Sequence, residues 1–448
     1  MRKFSYHITT LGCPKNQADS RAMEKSLLQG GFSSAENAEV AEFHIINSCA
    51  FIESAREETI QTVLDASDIK RSSPEQKIIL VGCFSERYSS TIIRELPEVD
   101  LCFGTNRYDK TASILTEHFH LDMSEKEALA DQNSLYGASD RLLYRTNSVY
   151  APVKISDGCS RSCTFCAIPS FRGRFHEREE QEILSECREL VKAGVKELCL
   201  VSQDTNAYGA DSNRFVELIE KIAEIDDLKW LRLLYLYPDK KTLKILEKLG
   251  SLNLPALVPY LESPVQHVSP AILKAMGRSG SYELYRDIFS FAREMKKDTE
   301  IRTAFLVGFP GEKTEDVDLL LRFIEEVRPE KLALFAFSPE EGTPAHAMGK
   351  KVSKKETVER INLLRETHLN VLRGIQATRV GKIYSCIIED FRDGKLIGRR
   401  PQDAPEVDEI VFIDGTRRAS TGDIIPVEID GFFEYDMTGI PVTVGAKE

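Results

Sequence analysis

Six strand-like segments, each followed by a helical segment, repeat at intervals of about 30 residues, and this alternation constrains the fold most strongly. The strand-like segments are 149–156, 197–202, 230–236, 257–260, 301–308 and 331–338, and the helical segments are 178–193, 214–224, 242–249, 282–297, 315–327 and 353–378. A row of such units predicts a partial (βα)6 barrel with its chemistry at the carboxyl ends of the strands.

The regions on either side of this repeat follow other patterns. Strands predicted at 4–10, 43–47 and 77–81 alternate with helices predicted at 20–31 and 53–66, which indicates a parallel sheet covered by helices. Short alternating strands predicted at 383–389, 395–398, 409–413 and 424–429 indicate a small all-β barrel. The polar stretch 125–147 is predicted to be a linker. We therefore expect an α/β multidomain chain with domains at 1–140, 141–378 and 379–448.

Three cysteines are clustered on the loop that follows the first strand of the repeat, as Cys159-Ser-Arg-Ser-Cys163-Thr-Phe-Cys166. Three thiolates with C-x3-C-x2-C spacing can hold three irons of a cubane and leave the fourth iron open to a substrate's amine and carboxylate. The alternative is a structural zinc site with His176 as the fourth ligand. Zinc usually binds paired C-x2-C motifs, and His176 stands in a charged stretch, so the cubane is favoured.

Cys13, Cys49 and Cys83 are distant in sequence, but each follows a predicted apolar strand. The carboxyl ends of parallel strands meet at one edge of a sheet, so the three thiols can converge there and hold a second cluster. The alternative is that they are packed strand-end residues. The other four cysteines stand in apolar surroundings and are predicted to be buried small hydrophobes: Cys102, Cys187, Cys199 and Cys386.

Charge and the start of the sequence indicate the compartment and the partner. We find neither a secretory leader nor a run of about 18 apolar residues, which favours the cytoplasm and no membrane partner. The net charge is −12, and residues 380–448 hold fourteen acidic and eight basic residues. An acidic module repels nucleic acid and attracts a basic protein, although it could also be just a solvated acidic surface.

The cysteine loop and the six-unit repeat resemble the radical S-adenosylmethionine (SAM) superfamily. The segments around Cys13, Cys49 and Cys83 resemble the N-terminal domain of its methylthiotransferase family, and 398–408 resembles that family's TRAM domain. The segments that resemble the RimO-type branch, which modifies an aspartate of ribosomal protein S-twelve, are Leu11-Gly-Cys-Pro-Lys-Asn16, Cys49-Ala-Phe-Ile-Glu53, Ile168-Pro-Ser-Phe-Arg-Gly-Arg174, Ser202-Gln-Asp-Thr205 and Leu233-Leu-Tyr-Leu-Tyr-Pro238. The chain departs from the family pattern at Glu262, Ser263 and Phe337.

The resemblance implies two [4Fe-4S] clusters, one on Cys159, Cys163 and Cys166 and an auxiliary one on Cys13, Cys49 and Cys83. SAM would serve as the source of a 5′-deoxyadenosyl radical, which abstracts hydrogen from the aspartate β-carbon, and as the methyl donor for the inserted sulfur. By the same resemblance, Phe165 would lie beside the adenine, Gln203 near the methionine end, and Thr303 would be a further contact.

The expected partners are ribosomal protein S-twelve or the small ribosomal subunit and an electron donor such as flavodoxin or ferredoxin, with no specific nucleic acid. No catalytic side-chain base is expected, because the cofactor performs the difficult step. Two alternatives remain at this point: a tRNA adenosine methylthiotransferase, and a non-catalytic adaptor that binds zinc and RNA.

Overall fold

A computed structural model describes residues 4–121, 148–209, 211–414 and 419–442, so the linker predicted at 125–147 lies outside the described residues. The chain forms two compact units. The first, here called the N-terminal unit, contains 4–121 together with Asp157–Ser160 and Ala167–Phe175. The second, the barrel unit, contains 148–156, Arg161–Cys166 and the described residues from His176 onward. In the ranges that the structure describes, no helix is both long enough and apolar enough to cross a bilayer.

The N-terminal unit is built on a parallel five-stranded sheet in the order β2-β1-β3-β4-β5. Strands β1 to β5 are Ser5–Thr10, Ser33–Ser34, Phe43–Ser48, Lys77–Gly82 and Leu101–Phe103, and helices α1 to α5 are Pro14–Gln29, Glu53–Ser72, Cys83–Glu95, Thr111–His118 and Ile168–Arg172. All six residues of β3 are buried, as expected for a central parallel strand covered on both faces.

Helices cover both faces of this sheet. Met23 and Leu27 of α1 belong to one core, and Val63 of α2 and Ile92 of α3 belong to the other. Phe171 joins this second core, so α5 packs against the N-terminal sheet although it follows the cysteine loop in sequence. This packing brings the residue after Phe171 to the edge of the sheet that carries the cysteines.

The structure corrects several element bounds in this unit. The helix predicted at 20–31 begins at Pro14, directly after Cys13, because proline is favoured at the first position of a helix. The helices Cys83–Glu95 and Thr111–His118 and the strand Leu101–Phe103 were not predicted. The first of these helices is interrupted by non-helical backbone at Tyr88, which weakens its periodic pattern.

The barrel unit contains two parallel three-stranded sheets, β6-β9-β10 and β11-β12-β13, joined by a parallel bridge between Leu231 and Leu257. Strands β6 to β13 are Tyr150–Lys154, Ser156–Asp157, His176–Glu177, Glu197–Val201, Trp230–Leu233, Tyr260–Glu262, Glu300–Val307 and Lys331–Ala336. Asp157, the last residue of β7, is assigned to the N-terminal unit. Helices α6 to α12 are Glu180–Lys192, Ser212–Ala223, Lys240–Gly250, Pro270–Ala275, Tyr282–Met295, Thr314–Val327 and Lys354–Ala377. The six main strands confirm the predicted partial barrel.

The fourth strand of this barrel lies later in the sequence than predicted. Residues 257–260 were expected to form it, whereas β11 spans Tyr260–Glu262. Pro255 and Pro259 interrupt the preceding segment, and proline has no N–H for a ladder. Leu257 therefore contributes a single bridge.

The C-terminal module is a closed barrel of five strands in the order β14-β15-β16-β18-β17. Strands β14 to β18 are Ile383–Arg392, Lys395–Arg399, Val411–Ile413, Ile424–Phe433 and Asp436–Pro441. The last strand was not predicted, because Gly439 and Pro441 give it a weak strand signal. It pairs antiparallel with β17 and parallel with β16, which closes the barrel.

A buried ionic network joins this module to the amino ends of the (βα)6 strands. Glu197, the first residue of β9, accepts from Arg399 at 2.5 Å, and Glu300, the first residue of β12, accepts from Arg400 at 2.9 Å and Lys331 at 2.5 Å. Burial alone would raise the pKa of Glu300, but Arg400 and Lys331 lower it to about 2. The module thus docks on the edge opposite the carboxyl ends of the strands.

Candidate cluster-binding site

Three cysteines converge at the carboxyl edge of the N-terminal sheet. Cys13 follows β1 and caps α1, Cys49 directly follows β3, and Cys83 follows β4 as the first residue of α3. These three strands are neighbours in the sheet, so the turns that carry the cysteines lie side by side. The structure brings together the set that was predicted from strand order.

The three thiols influence one another electrostatically. Burial raises the pKa of Cys49, and the charge of Cys13 raises it further. Burial raises the pKa of Cys83 to about 12, with Arg172 opposing the shift and Cys49 and Cys13 adding to it. Each thiol therefore lies within electrostatic reach of another, and binding a metal would release their protons.

Two asparagines hold the first two cysteine turns in place. Asn16 Nδ2 donates to the carbonyl of Leu11 at 2.8 Å and to that of Ser48 at 3.1 Å. Asn47 Nδ2 donates to the carbonyl of Asn16 at 2.9 Å. These bonds connect the Cys13 turn to the Cys49 turn and fix the position of one relative to the other.

Gly12 allows the closest approach between these turns. Its φ is +90°, and a Cβ at this position would lie 2.8 Å from the Cβ of Cys49 and 3.0 Å from its Sγ. A larger residue would push Cys49 away from the edge. The Leu11-Gly-Cys motif therefore has a packing role as well as supplying a thiol.

In the barrel unit, Cys163 and Cys166 lie on one tight turn, with the Cys166 N–H donating to the Cys163 carbonyl at 3.1 Å. Between them, the Thr164 N–H donates to the Met276 carbonyl at 2.9 Å, and the Thr164 carbonyl accepts from Ala345 N–H at 2.9 Å. Arg278 places Nη1 3.7 Å from the Cys163 sulfur. The turn is fixed to two other loops of this unit.

Arg161 anchors the same loop to the strand ends. Its Nε donates to Asp204 at 2.5 Å and its Nη2 lies 3.0 Å from Asp239. Its guanidinium also stacks 3.7 Å above the ring of Tyr237, and Arg278 lies 4.3 Å from the same ring. These residues follow β9 and β10, so the cysteine loop is tied to the carboxyl ends of barrel strands.

Gly277 packs tightly against the turn that carries Cys163 and Cys166, and we predict that Gly277→Ala disrupts this packing. A Cβ at Gly277 would lie 2.5 Å from the Ser162 carbonyl oxygen, at a φ of +66°. Displacement of the loop should lower 5′-deoxyadenosine formation on the order of 10- to 100-fold. Gly311→Ala is the matched control, because Gly311 also has a positive φ, +91°, but nothing within 4 Å. Equal activity of the two variants would contradict the prediction.

Cys159 belongs to the N-terminal unit, where its N–H donates to the Gly173 carbonyl at 3.1 Å. His176, the alternative zinc ligand, is exposed in β8.

Of the four cysteines predicted to be structural, Cys187, Cys199 and Cys386 are buried, and Cys102 is half-buried in β5.

The predicted SAM contacts occupy different environments. Phe165 packs, partly buried, against a core cluster that includes Met276 and Phe309, and Gln203 follows β9 at a strand end. Thr303 is 1% exposed, and its hydroxyl donates to the Ser263 carbonyl at 2.8 Å. That bond ties β12 to the residue that follows β11 and gives Thr303 a structural role. The cofactor roles of all three stay predictions.

The chemistry of the donor set fits a cubane, in which thiolates are the protein ligands. Within the described ranges, no three His, Cys, Asp or Glu side chains stand close enough together to share one ion. In a cubane each thiolate binds a separate iron, so thiols that converge without meeting at one point suit it. The three thiols of the N-terminal unit, of which Cys13 and Cys49 are half-buried and Cys83 is buried, meet this condition.

Sequence reasoning missed the polar residues around Cys83. Arg172 is buried and donates to the Cys83 sulfur, and Asn16, Asp19 and Asp157 accept from the same guanidinium. The segments that carry Asn16 and Arg172 were noticed only as marks of a family branch. Their chemical role depends on contacts between residues that are distant in sequence.

Comparisons with known proteins agree with this architecture. Family models match three consecutive regions: uncharacterized protein family UPF0004 at residues 5–104, the radical SAM superfamily at 153–324 and the TRAM domain at 380–442. Among solved structures, the radical SAM methyltransferase TsrM from Kitasatospora setae matches with a TM-score of 0.53 at 12% identity, covering 77% of this chain and 74% of that one. At this identity the match shows a shared fold.

Curated relatives match over nearly the whole chain. The ribosomal protein uS12 methylthiotransferase RimO of Leptospira biflexa is 46% identical, covering 97% of this chain and 96% of its own length. The protein of the same name from Carboxydothermus hydrogenoformans is 38% identical, covering 97% and 98%. With this identity over its full length, the chain belongs to the RimO family of radical SAM methylthiotransferases.

Proposed function

We propose that this enzyme adds a methylthio group to the β-carbon of an aspartate in ribosomal protein uS12. The observation that carries the proposal is the 46% identity over 97% of the chain to a relative named for this activity. The convergence of Cys13, Cys49 and Cys83 at one sheet edge supports it, because sulfur insertion needs a second cluster besides the one that cleaves SAM. A ribosomal substrate implies that the reaction takes place in the cytoplasm.

We propose that Cys159, Cys163 and Cys166 hold one [4Fe-4S] cluster and that Cys13, Cys49 and Cys83 hold the other. When bound, the first cluster would supply the electron that cleaves SAM, and the second would present the sulfur that is inserted. We further propose three functional modules at 1–140, 141–378 and 379–448. Phe165, Gln203 and Thr303 remain the proposed SAM contacts.

The chain's own residues position the reactants and keep the cysteine loop rigid. Arg161 fixes the loop through Asp204 and Asp239, and Thr164 fixes it through backbone bonds to Met276 and Ala345. Gln203 precedes Asp204 directly, so the loop anchor and this proposed cofactor contact share one strand end. A loop held at several points keeps the ligands in place while SAM binds.

The C-terminal module suits a basic protein partner. In the described part of this module, ten acidic side chains are exposed or half-buried, compared with three basic ones. Arg399 and Arg400 do not add to the surface charge, because they lie in the buried ionic network. Such a surface attracts the lysine- and arginine-rich surface of a ribosomal protein and repels RNA. Flavodoxin or ferredoxin is the proposed electron donor.

Mass spectrometry tests the proposed function directly. The enzyme is reconstituted without oxygen and incubated with SAM, a reductant and either uS12 or tRNA. We expect one methylthio group to replace one hydrogen of uS12, on an aspartate, with tRNA unchanged. Methylthiolation of tRNA, with uS12 unchanged, would assign the enzyme to the tRNA branch, and its binding would then weaken steeply with salt.

A further inference from the structure

Arg172 is a buried arginine in direct contact with one of the proposed cluster ligands. It is the last residue of α5, is 3% exposed and belongs to the N-terminal unit. Its Nε lies 3.2 Å and its Nη2 3.1 Å from the sulfur of Cys83. Two parallel N–H groups therefore point at one sulfur.

Every other donor of this guanidinium also has an acceptor. Nη2 donates to Asn16 Oδ1 at 2.9 Å, and Nη1 donates to Asp19 at 2.7 Å and to Asp157 at 3.3 Å. An arginine has five N–H donors, so all of them are used. A buried guanidinium held by five hydrogen bonds to four acceptor atoms, two of them carboxylate oxygens, has one geometry. The other hydrogen bonds therefore fix the orientation in which the guanidinium donates to Cys83.

The backbone next to Arg172 contacts a ligand of the other proposed cluster. The Gly173 carbonyl accepts from the Cys159 N–H at 3.1 Å, and Asp157, which accepts from Arg172, lies two residues before Cys159. Within the N-terminal unit, two consecutive residues thus hold one proposed ligand of each cluster. Neither cysteine turn can shift without straining this segment.

We propose that Arg172 is a positioning residue of the auxiliary cluster, which fixes the Cys83 sulfur and raises the reduction potential of the cluster through its two N–H···S bonds. The inference rests on the proposed function, because it needs Cys83 as a ligand. Hydrogen bonds to a ligating sulfur draw electron density from it and favour the reduced state. Removing them should make the potential more negative.

Arg172→Lys tests this role. Lysine keeps the positive charge beside Asp19 and Asp157, but it lacks the planar guanidinium that donates two hydrogen bonds to one sulfur. The variant is made in the full chain with Cys159, Cys163 and Cys166 changed to alanine, so that the auxiliary cluster is measured alone. Iron content and the midpoint potential are followed by redox titration with electron paramagnetic resonance. Arg87→Lys is the matched control, since Arg87 donates to the Ala50 carbonyl at 2.9 Å.

We expect Arg172→Lys to bind iron as the parent does, but with a midpoint potential more negative than those of the parent and the Arg87→Lys control. Retained iron with an unchanged potential and spectrum would overturn the role of Arg172 and leave the proposed function standing. An iron-free parent with Arg172 intact would overturn both.

A second measurement covers the case in which Arg172→Lys does not assemble the auxiliary cluster. In the background with all cysteines present, 5′-deoxyadenosine formation reports on the other cluster and on the fold. Loss of auxiliary iron with normal 5′-deoxyadenosine formation would support the proposal. Loss of both would overturn it, because the arginine would then serve the fold alone.

Discussion

Cys163→Ala is expected to reduce 5′-deoxyadenosine formation to background. Cys163 lies at the centre of the C-x3-C-x2-C loop, on a turn that is bonded to Met276 and Ala345 through Thr164. Alanine keeps the backbone and the Cβ but removes the sulfur, so the turn should persist while the proposed cubane loses one of its three protein ligands. Without that cluster, SAM would have no electron source, so neither 5′-deoxyadenosine nor methylthiolated uS12 would form.

This variant is measured under anaerobic conditions with dithionite as reductant, counting both 5′-deoxyadenosine and iron. We expect iron to fall from about eight to about four atoms per chain, because one of two [4Fe-4S] clusters is lost. Cys386→Ala is the control, since Cys386 is a fully buried cysteine in the core of the C-terminal module. Normal 5′-deoxyadenosine formation by Cys163→Ala would show that the radical chemistry starts elsewhere.

The sequence predicted the convergence of Cys13, Cys49 and Cys83 because that convergence depends on strand order alone. Neighbouring parallel strands bring their carboxyl ends to one edge, whatever the details of packing. The partial barrel was predictable for the same reason, since its helices and strands have strong periodic patterns. The predicted bounds of the strands and helices were wrong where the periodic pattern was weak, as at Pro255 and Pro259 before β11.

The start of α1 shows why the polar part of the site was harder to predict. Periodicity predicted a helix from residue 20, whereas it begins at Pro14. Asn16 and Asp19 are each 1% exposed, so two buried positions of the first turns carry polar residues. Periodicity assigns buried positions to apolar residues. These two are polar because they accept from Arg172, which is more than 150 residues away in sequence.

Cys49→Ala is expected to separate the two halves of the reaction. We predict that 5′-deoxyadenosine is still formed, while methylthiolation of uS12 falls below detection. Cys49 belongs to the N-terminal unit, and the turn that carries Cys163 and Cys166 is fixed by contacts within the barrel unit. Alanine keeps the Cβ that packs against Gly12 and removes just the sulfur, so the Asn16 bond to Ser48 should persist.

Cys102→Ala is the matched control, because Cys102 is a half-buried cysteine of the same sheet, on β5 rather than at the cysteine edge. It should retain both activities and about eight irons per chain, whereas Cys49→Ala should retain about four. Undiminished methylthiolation by Cys49→Ala would remove the second cluster from the scheme. SAM cleavage without methylthiolation would instead show that the radical is generated independently of the thiols that hold the auxiliary cluster, as two separate cysteine sets imply.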